Sequence, residues 1–238
     1  MHIRKLALAG AAAVLLTGCG GSEDAGSGPS AGAAPEAGSA LAEQDAGEVV
    51  DAAFTALEEA GSARVTGSIA ENGSTQELDL QLQGEDAQGS LTTEGRTVEL
   101  VYTGGASYVL APAEFWASFG MPAEFASQLD GRWVLMPEEA AGSFSTLTLP
   151  GLVDELRTSA GDQATGEVGS DELDGEPVVV VTRADGSTVT VADDEDAPYP
   201  LLIEDMGDSP ATVEFSEFGE EFAITAPADP VDLDTLGG

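Results

Sequence analysis

Strict alternation of apolar and polar residues in segment 77–83 (ELDLQLQ) constrains this chain more than any other feature. Successive side chains of a β-strand point to opposite faces, so the three leucines would share one face and the polar residues the other. Such a half-buried strand is typical of an antiparallel sheet. Its neighbours are separated by short glycine-containing turns, which predicts a meander. The predicted neighbouring strands are 63–70, 89–93, 97–103 and 106–110.

A helix is predicted before this meander. Asp45 and Glu48 have the spacing of a capping box, apolar residues then recur at helical intervals, and Gly61 supplies a C-terminal stop. Apolar and aromatic residues at helical spacing predict further short helices after the meander. These helices are expected within 112–129, 137–143 and 150–159.

Strand signals return in the second half of the chain. The pairs Asp174-Gly175 and Asp185-Gly186 are the residues that tight hairpin turns prefer. The pattern therefore predicts a second set of antiparallel strands. These strands are expected at 178–181, 188–191, 200–205, 212–218 and 221–224, and a separate short strand begins at Trp133 and Val134.

The N-terminus has the three parts of an export signal. Arg4 and Lys5 are basic, residues 6–16 form an apolar run, and small residues follow. The run is too short to span a bilayer. It ends in the segment 16–19 (LTGC), which resembles the lipobox of bacterial lipoproteins, where diacylglycerol is attached to the cysteine thiol before cleavage. We expect lipidation at Cys19, with acyl chains such as palmitate, and not an ordinary secretory signal.

The composition divides the chain into three parts. Residues 1–18 are the predicted lipoprotein signal peptide, and residues 19–40 are the lipidated cysteine and a flexible linker. Residues 20–40 contain no large apolar side chain. A Gly-rich coil of this length would span roughly 25 Å. Residues 41–238 form the predicted folded domain. The expected location is the extracytoplasmic face of the cell membrane, with the lipid as anchor.

Charge and residue types exclude several classes of function. The formal net charge is −37, which opposes binding to nucleic acid. After Cys19 the chain has no His, Lys or Cys, so the usual nucleophile and base pairs are missing and we expect no enzyme. No cofactor motif is present and no metal site is expected. The acidic segment 193–196 could bind calcium, although its spacing fits a solvated loop better.

The order of these features resembles a known family. A lipobox and acidic linker precede a helix, a meander ending in 106–109 (ASYV), short helices and 131–134 (GRWV). The closing segments 199–203 (YPLLI), 214–219 (EFSEFG) and 224–227 (ITAP) follow the same pattern. The chain resembles actinobacterial lipoproteins of the LppX/LprAFG type, whose fold is similar to that of the periplasmic lipoprotein carrier LolA. The likeness covers nearly all of the chain after residue 18.

The resemblance implies an α+β fold in which helices cover the concave face of a curved antiparallel half-barrel. In some relatives an apolar cavity under the helices holds lipid acyl chains. The sequence thus leads to the hypothesis of an envelope lipoprotein that binds or carries a lipid or glycolipid. The alternative is a non-enzymatic module that binds another envelope protein and has a filled core. Candidate ligand-binding residues are Phe115, Trp116, Phe119 and Phe125.

Overall fold

The computed structural model describes residues 39–71, 73–137, 144–160, 165–207 and 209–233. The predicted signal peptide, the lipidation site Cys19 and nearly all of the linker lie outside these residues. So does most of the helix expected at 137–143. The described part of the chain contains helices and strands in the order α-β-α-β, with all strands in one sheet.

Sixteen regular elements make up the described fold. The helices are α1 (Ala46–Ala60), α2 (Ala113–Ser118), α3 (Ala123–Leu129) and α4 (Leu149–Ala160), with a short 3-10 turn at Ser145–Leu147. The strands are β1 (Ser62–Glu71), β2 (Ser74–Gln83), β3 (Asp86–Thr93), β4 (Arg96–Thr103), β5 (Ala106–Leu110), β6 (Trp133–Leu135), β7 (Gly166–Leu173), β8 (Glu176–Arg183), β9 (Thr188–Ala192), β10 (Pro200–Asp205), β11 (Ala211–Ser216) and β12 (Val231–Asp232).

Local signals set both ends of α1. At its start, the backbone N–H of Asp45 donates to Glu48 Oε2 at 3.4 Å, as in a capping box. At its end, Gly61 adopts the left-handed conformation, and its N–H donates to the carbonyl oxygen of Glu58 at 3.2 Å. The helix predicted from the sequence is confirmed.

The twelve strands form one sheet in the order β12-β6-β5-β4-β3-β2-β1-β11-β10-β9-β8-β7. Strands β1 to β5 are joined by tight turns and pair with their sequence neighbours, which confirms the meander. Pairing of β1 with β11 joins this meander to the strands of the second half. All pairs are antiparallel except that of β12 with β6.

Two interior glycines allow neighbouring backbones to approach closely. A Cβ atom on Gly67 would lie 2.1 Å from the carbonyl oxygen of Thr212, and one on Gly89 would lie 2.1 Å from that of Asp79. Glycine inside a strand is typical of such close approaches and of bends. The sheet is curved and stays open, with β7 and β12 at its edges. The predicted curved antiparallel sheet is confirmed.

The larger core cluster lies between the sheet and the helices α1 and α4. Leu57 of α1 and Val153 of α4 are almost completely buried, as are Leu82 and Val179 of the sheet. Burying such a side chain contributes about 1.5–3 kcal/mol. The alternation in segment 77–83 of β2 therefore does what the sequence predicts, since its leucines face the helices and the polar residues between them point to the other face.

A smaller cluster lies beneath α2 and α3, around Trp116 and Leu129. Leu100 of the larger cluster is paired across strands with Val109, which is paired with Val134 of the smaller cluster. Directly paired residues lie on the same face of a sheet. The four helices of the described residues therefore cover one face, and none of them lies on the opposite face, which is called the open face below.

The strand predicted at 221–224 is wrong. Ser62 Oγ donates to the carbonyl oxygen of Glu220 at 2.7 Å, and the N–H of Phe222 donates to Gln83 Oε1 at 2.7 Å. Ser62 begins β1 and Gln83 ends β2, so this segment crosses the ends of those strands and has no strand to pair with. The alternating residues of the segment do not reflect a sheet ladder.

Candidate apolar binding cleft

An open cleft of about 310 Å³ lies on the helix-covered face, between α2 and strands β2 to β5. Two cross-strand pairs form its floor, Leu91 with Val98 and Leu100 with Val109. Its apolar lining is completed by Phe115 of α2 and by Phe144. The polar residues that line it are Gln76, Thr93, Arg96, Glu114 and Ser118.

The cleft lies where the two core clusters adjoin, because they remain separate clusters there. Leu91 packs against the larger cluster, whereas its paired neighbour Val98 packs against the smaller one. The helices α1 and α4 cover one end of the sheet, and α2 and α3 cover the other. Between them, no helix of the described residues fully covers Leu91 of β3 and Val98 of β4, which are half-buried, and this leaves an apolar surface that a ligand could bury.

Charged and polar side chains surround the opening of the cleft. Arg96, Glu114 and Ser118 are all exposed to solvent. Arg96 forms an ion pair with Glu94 in the turn between β3 and β4. A ligand with an apolar chain and a polar end could therefore bury its chain against the floor while its polar end stayed in water.

The structure separates the four aromatic residues singled out in the sequence. Phe115 is half-buried and lines the cleft. Trp116 is 1% exposed, belongs to the smaller core cluster, and donates from Nε1 to the carbonyl oxygen of Ala111 at 3.3 Å. Phe119 and Phe125 are 70% and 43% exposed and are not part of the cleft lining. Phe115 therefore lies against the candidate ligand site, whereas Trp116 supports the helix from below.

Aromatic contacts connect Phe115 to both of its neighbours on the helix. Its ring is 5.2 Å from that of Trp116 in an edge-to-face arrangement and 4.9 Å from that of Phe119. Such contacts are favourable geometries for aromatic pairs. The three rings form a continuous path from the core, along the cleft wall, to the surface.

Sequence reasoning missed five apolar residues of the lining, namely Leu91, Val98, Leu100, Val109 and Phe144. The alternation of the strands indicates that Leu91 and Val98 face inward. It gives no information about which inward positions a helix covers, because that depends on where α2 lies relative to α1. Their presence in the cleft follows from tertiary packing.

Within the described residues, no group of three or more His, Cys, Asp or Glu side chains could hold a metal ion. In the acidic segment 193–196, Asp194 Oδ1 accepts the N–H of Asp196 at 3.0 Å, as in a self-contained polar turn. No helix in the described part of the chain is long and apolar enough to cross a membrane.

Together, the curved sheet, the helices on one face and the cleft beneath them define an α+β domain with an apolar cleft. Its fold is similar to that of LprF from Mycobacterium bovis, with a TM-score of 0.50 at 15% sequence identity, over 77% of this chain and 97% of that one. The predicted resemblance to lipoproteins of the LppX/LprAFG type is thereby confirmed at the level of the fold.

Two further solved structures are similar at lower scores. The lipoprotein LppX from Mycobacterium tuberculosis has a TM-score of 0.47 at 15% identity, over 76% of this chain and 98% of that one. MucB has a TM-score of 0.37 at 16% identity, over 76% of this chain and 64% of that one. No family model and no curated protein sequence matches the chain.

Proposed function

We propose that this protein is a membrane-anchored extracytoplasmic lipoprotein that binds an apolar molecule, such as a lipid or glycolipid, in the cleft beside α2. The observation that carries the proposal is the apolar lining of the cleft, in which Leu91, Val98 and Phe115 remain accessible to a ligand. The shared fold with LprF supports the comparison with envelope lipoproteins.

The size of the cleft favours one acyl chain or part of one. Binding sites for small molecules occupy roughly 300–1,000 Å³, so a cleft of about 310 Å³ is at the lower end of this range. Burying a methylene group contributes about 0.8 kcal/mol, so a segment of about eight methylenes would contribute about 6 kcal/mol before the costs of association. Because association itself costs several kcal/mol, a gain of this size favours weak, reversible binding over permanent retention.

The proposed anchor follows from the N-terminal sequence. Cys19 follows the apolar run after only two residues and is the only cysteine of the chain, so it has no partner for an internal disulfide. Two or three acyl chains on this residue would hold the protein stably at the membrane. The polar segment 20–40 would then keep the binding domain within a short distance of the lipid surface.

Binding without catalysis is the activity that these residues support. The folded domain has neither His, Lys nor Cys, and arginine is its only cationic residue type. The lining of the cleft offers one exposed arginine and one exposed glutamate, Arg96 and Glu114, among apolar side chains. We therefore assign the protein no cofactor, metal or nucleic-acid partner. Its proposed ligand is the lipid or glycolipid that binds in the cleft.

A matched pair of substitutions on α2 tests the proposal. Ser118 is exposed and lines the cleft, whereas the adjacent exposed residue Ala117 does not. Ser118→Trp should fill the opening, and Ala117→Trp should add the same bulk outside it. Residues 20–238 would be produced without the anchor, and bound lipid would be measured by native mass spectrometry and organic extraction. Binding of cis-parinaric acid would be followed by fluorescence.

We expect the wild-type protein and the Ala117→Trp variant to contain extractable lipid and to bind the fatty acid, and the Ser118→Trp variant to lose most of both. A wild-type protein that is free of lipid and does not bind the fatty acid would contradict the proposal. That result would favour the alternative, a protein-binding module of the envelope, for which the exposed ring of Phe119 would be a contact.

A further inference from the structure

The open face of the sheet, opposite the helices, carries a polar groove of about 430 Å³. Its floor includes the backbone at Gly89 and Leu100, and its lining includes Arg64, Asp79 and Trp133. A solvated sheet face normally presents separate polar side chains on a smooth surface. Here they surround a depression, and the groove is independent of the apolar cleft because the sheet lies between them.

Strand register explains the shape of the groove. On this face, cross-strand pairing aligns Asp79, Ser90, Glu99, Leu110 and Trp133 in one row across β2 to β6. Ser90 is the smallest member of this row and stands between the two acidic residues. The adjacent row consists of Arg64, Gln81, Gln88, Val101 and Tyr108. The short side chain of Ser90 therefore creates depth between taller neighbours.

Several polar side chains of the groove are held in place by one another. Arg64 donates from Nε and Nη2 to the two carboxylate oxygens of Asp79, at 2.9 and 2.8 Å. Gln88 Nε2 donates to Gln81 Oε1 at 2.7 Å. The amide NH₂ of Gln81 and the carbonyl oxygen of Gln88 can each still bind a ligand. Such pre-organised planar groups favour recognition because little rotamer freedom is lost on binding.

Trp133 adds an apolar surface at one end of the groove. Its ring is half-buried, and the residue is part of the groove lining. An indole ring offers a large flat apolar face beside a polar N–H. A flat ring at one end of a groove that also holds fixed amide and carboxylate groups matches an oligosaccharide, because the C–H face of a sugar packs on aromatic rings while its hydroxyl groups both donate and accept hydrogen bonds.

Charge selects among polar ligands. Arg64 is already paired with Asp79 and with Glu217 at 3.2 Å, so it offers little unneutralised positive charge to a phosphate or carboxylate. Glu99 lines the same groove, and the whole chain has a net charge of −37, both of which oppose an anionic ligand. A neutral ligand is repelled neither by Glu99 nor by the net negative charge of the chain.

We infer that this groove is a binding site for a neutral oligosaccharide. A second depression of about 430 Å³ shares Asp79 with the groove, and its lining towards β11 combines the hydroxyl side chains of Thr66, Ser68 and Thr212 with the carboxylates of Glu77 and Glu214. Strands are spaced about 4.8 Å apart, so the combined path from Trp133 on β6 to β11 is about 29 Å long. That length accommodates several sugar units, and hydroxyl side chains border its far end.

The test uses the full chain, purified in lauryldimethylamine oxide, a detergent without a sugar headgroup. Maltotetraose, cellotetraose and mannotetraose would be titrated separately by isothermal calorimetry. The variants are Trp133→Ala, Trp133→Phe and Gln81→Ala. The matched control is Tyr108→Ala, which removes a half-buried aromatic residue of the same face that is not part of the groove lining. Far-ultraviolet circular dichroism would check that each variant is folded.

We expect at least one tetrasaccharide to bind, and Trp133→Ala to weaken that binding about tenfold. Trp133→Phe should restore part of the affinity, Gln81→Ala should weaken it several-fold, and Tyr108→Ala should change it less than twofold. Ser118→Trp, which fills the cleft on the other face, should not affect it. The inference is overturned if none of the three sugars binds, or if Trp133→Ala and Tyr108→Ala weaken binding equally.

Discussion

Arg64 of β1 and Asp79 of β2 form a double hydrogen bond across neighbouring strands on the open face of the sheet. Hydrogen bonding from Arg64 lowers the pKa of Asp79 below its ordinary value, and partial burial of the carboxyl group acts in the opposite direction. The same pairing raises the pKa of Arg64. The contact is half-exposed, so solvent screens part of its effect.

Asp79→Asn should reveal this pairing as a dependence of stability on pH. Because the pKa of Asp79 is lowered in the folded state, its carboxylate stabilises the fold above the unfolded-state pKa of about 4. That contribution is lost as the pH falls through the folded-state pKa. We expect the wild type to be more stable than the variant at pH 7, and the difference to close in stronger acid. Urea denaturation over a pH series would measure it.

Glu77→Gln is the matched control for this experiment. Glu77 lies two residues earlier on the same face of β2. Its replacement should produce a smaller difference from the wild type at pH 7. If the stability gap caused by Asp79→Asn were the same at every pH, pairing of the charged carboxylate would not be its source.

Leu57→Ala should destabilise the protein by about 2–5 kcal/mol, because the side chain is fully buried between α1 and the sheet. The loss combines reduced apolar burial with the cavity that remains. Glu59→Ala, on the exposed face of the same helix, should change the free energy of unfolding by less than about 0.5 kcal/mol. Equal effects in guanidinium denaturation would show that α1 does not pack on the sheet as described.

Gly89→Ala should destabilise the fold by about 1–3 kcal/mol, because the added Cβ would meet the backbone of β2 at 2.1 Å. Gly169→Ala is the control, since a Cβ at that interior strand position meets no atom within 4 Å. Differential scanning calorimetry should show a clear decrease in Tm for the first variant and almost none for the second. Similar Tm values would contradict the close approach of β2 and β3.

Features with local causes could be predicted from the sequence. The capping box at Asp45 and the stop at Gly61 depend on contacts within one helical turn, and α1 was found between them. Strand alternation and Asp-Gly turns likewise predicted the meander and the hairpins β7–β8 and β8–β9. Strand β10 was found at the predicted residues 200–205.

Features with distant causes could not be predicted. The parallel pairing of β12 with β6 joins segments almost a hundred residues apart, and nothing local in Val231-Asp232 specifies it. The path of segment 221–224 depends on polar atoms at the ends of β1 and β2. The candidate cleft could not be predicted either. Its strand residues are recognisable as inward-facing, but the gap between the helices depends on the packing of the whole fold. Trp116 was a candidate ligand-binding residue only because it is aromatic, and in the structure it is part of the smaller core cluster.

Phe119→Asp should weaken ligand binding with little effect on stability, and so distinguish the two roles among the aromatic residues of α2. The ring of Phe119 is 70% exposed, so a polar replacement should change the free energy of unfolding by less than about 1 kcal/mol. It contacts Phe115 at a centroid distance of 4.9 Å, beside the cleft opening. We expect weaker binding of cis-parinaric acid, because a negative charge beside the opening opposes entry of a fatty-acid carboxylate and the apolar path is interrupted.

Trp116→Ala is the contrasting variant, because Trp116 is buried and its loss should destabilise the fold by about 3–5 kcal/mol. Thermal unfolding and fatty-acid titration of both variants would show whether each residue contributes to ligand binding or to the core. A large loss of binding with little loss of stability in Phe119→Asp would identify Phe119 as part of the entry to the cleft. Unchanged binding would confine the ligand contact to Phe115 and the strand residues. Equal losses of stability in the two variants would mean that Phe119 belongs to the core, which its exposure in this structure contradicts.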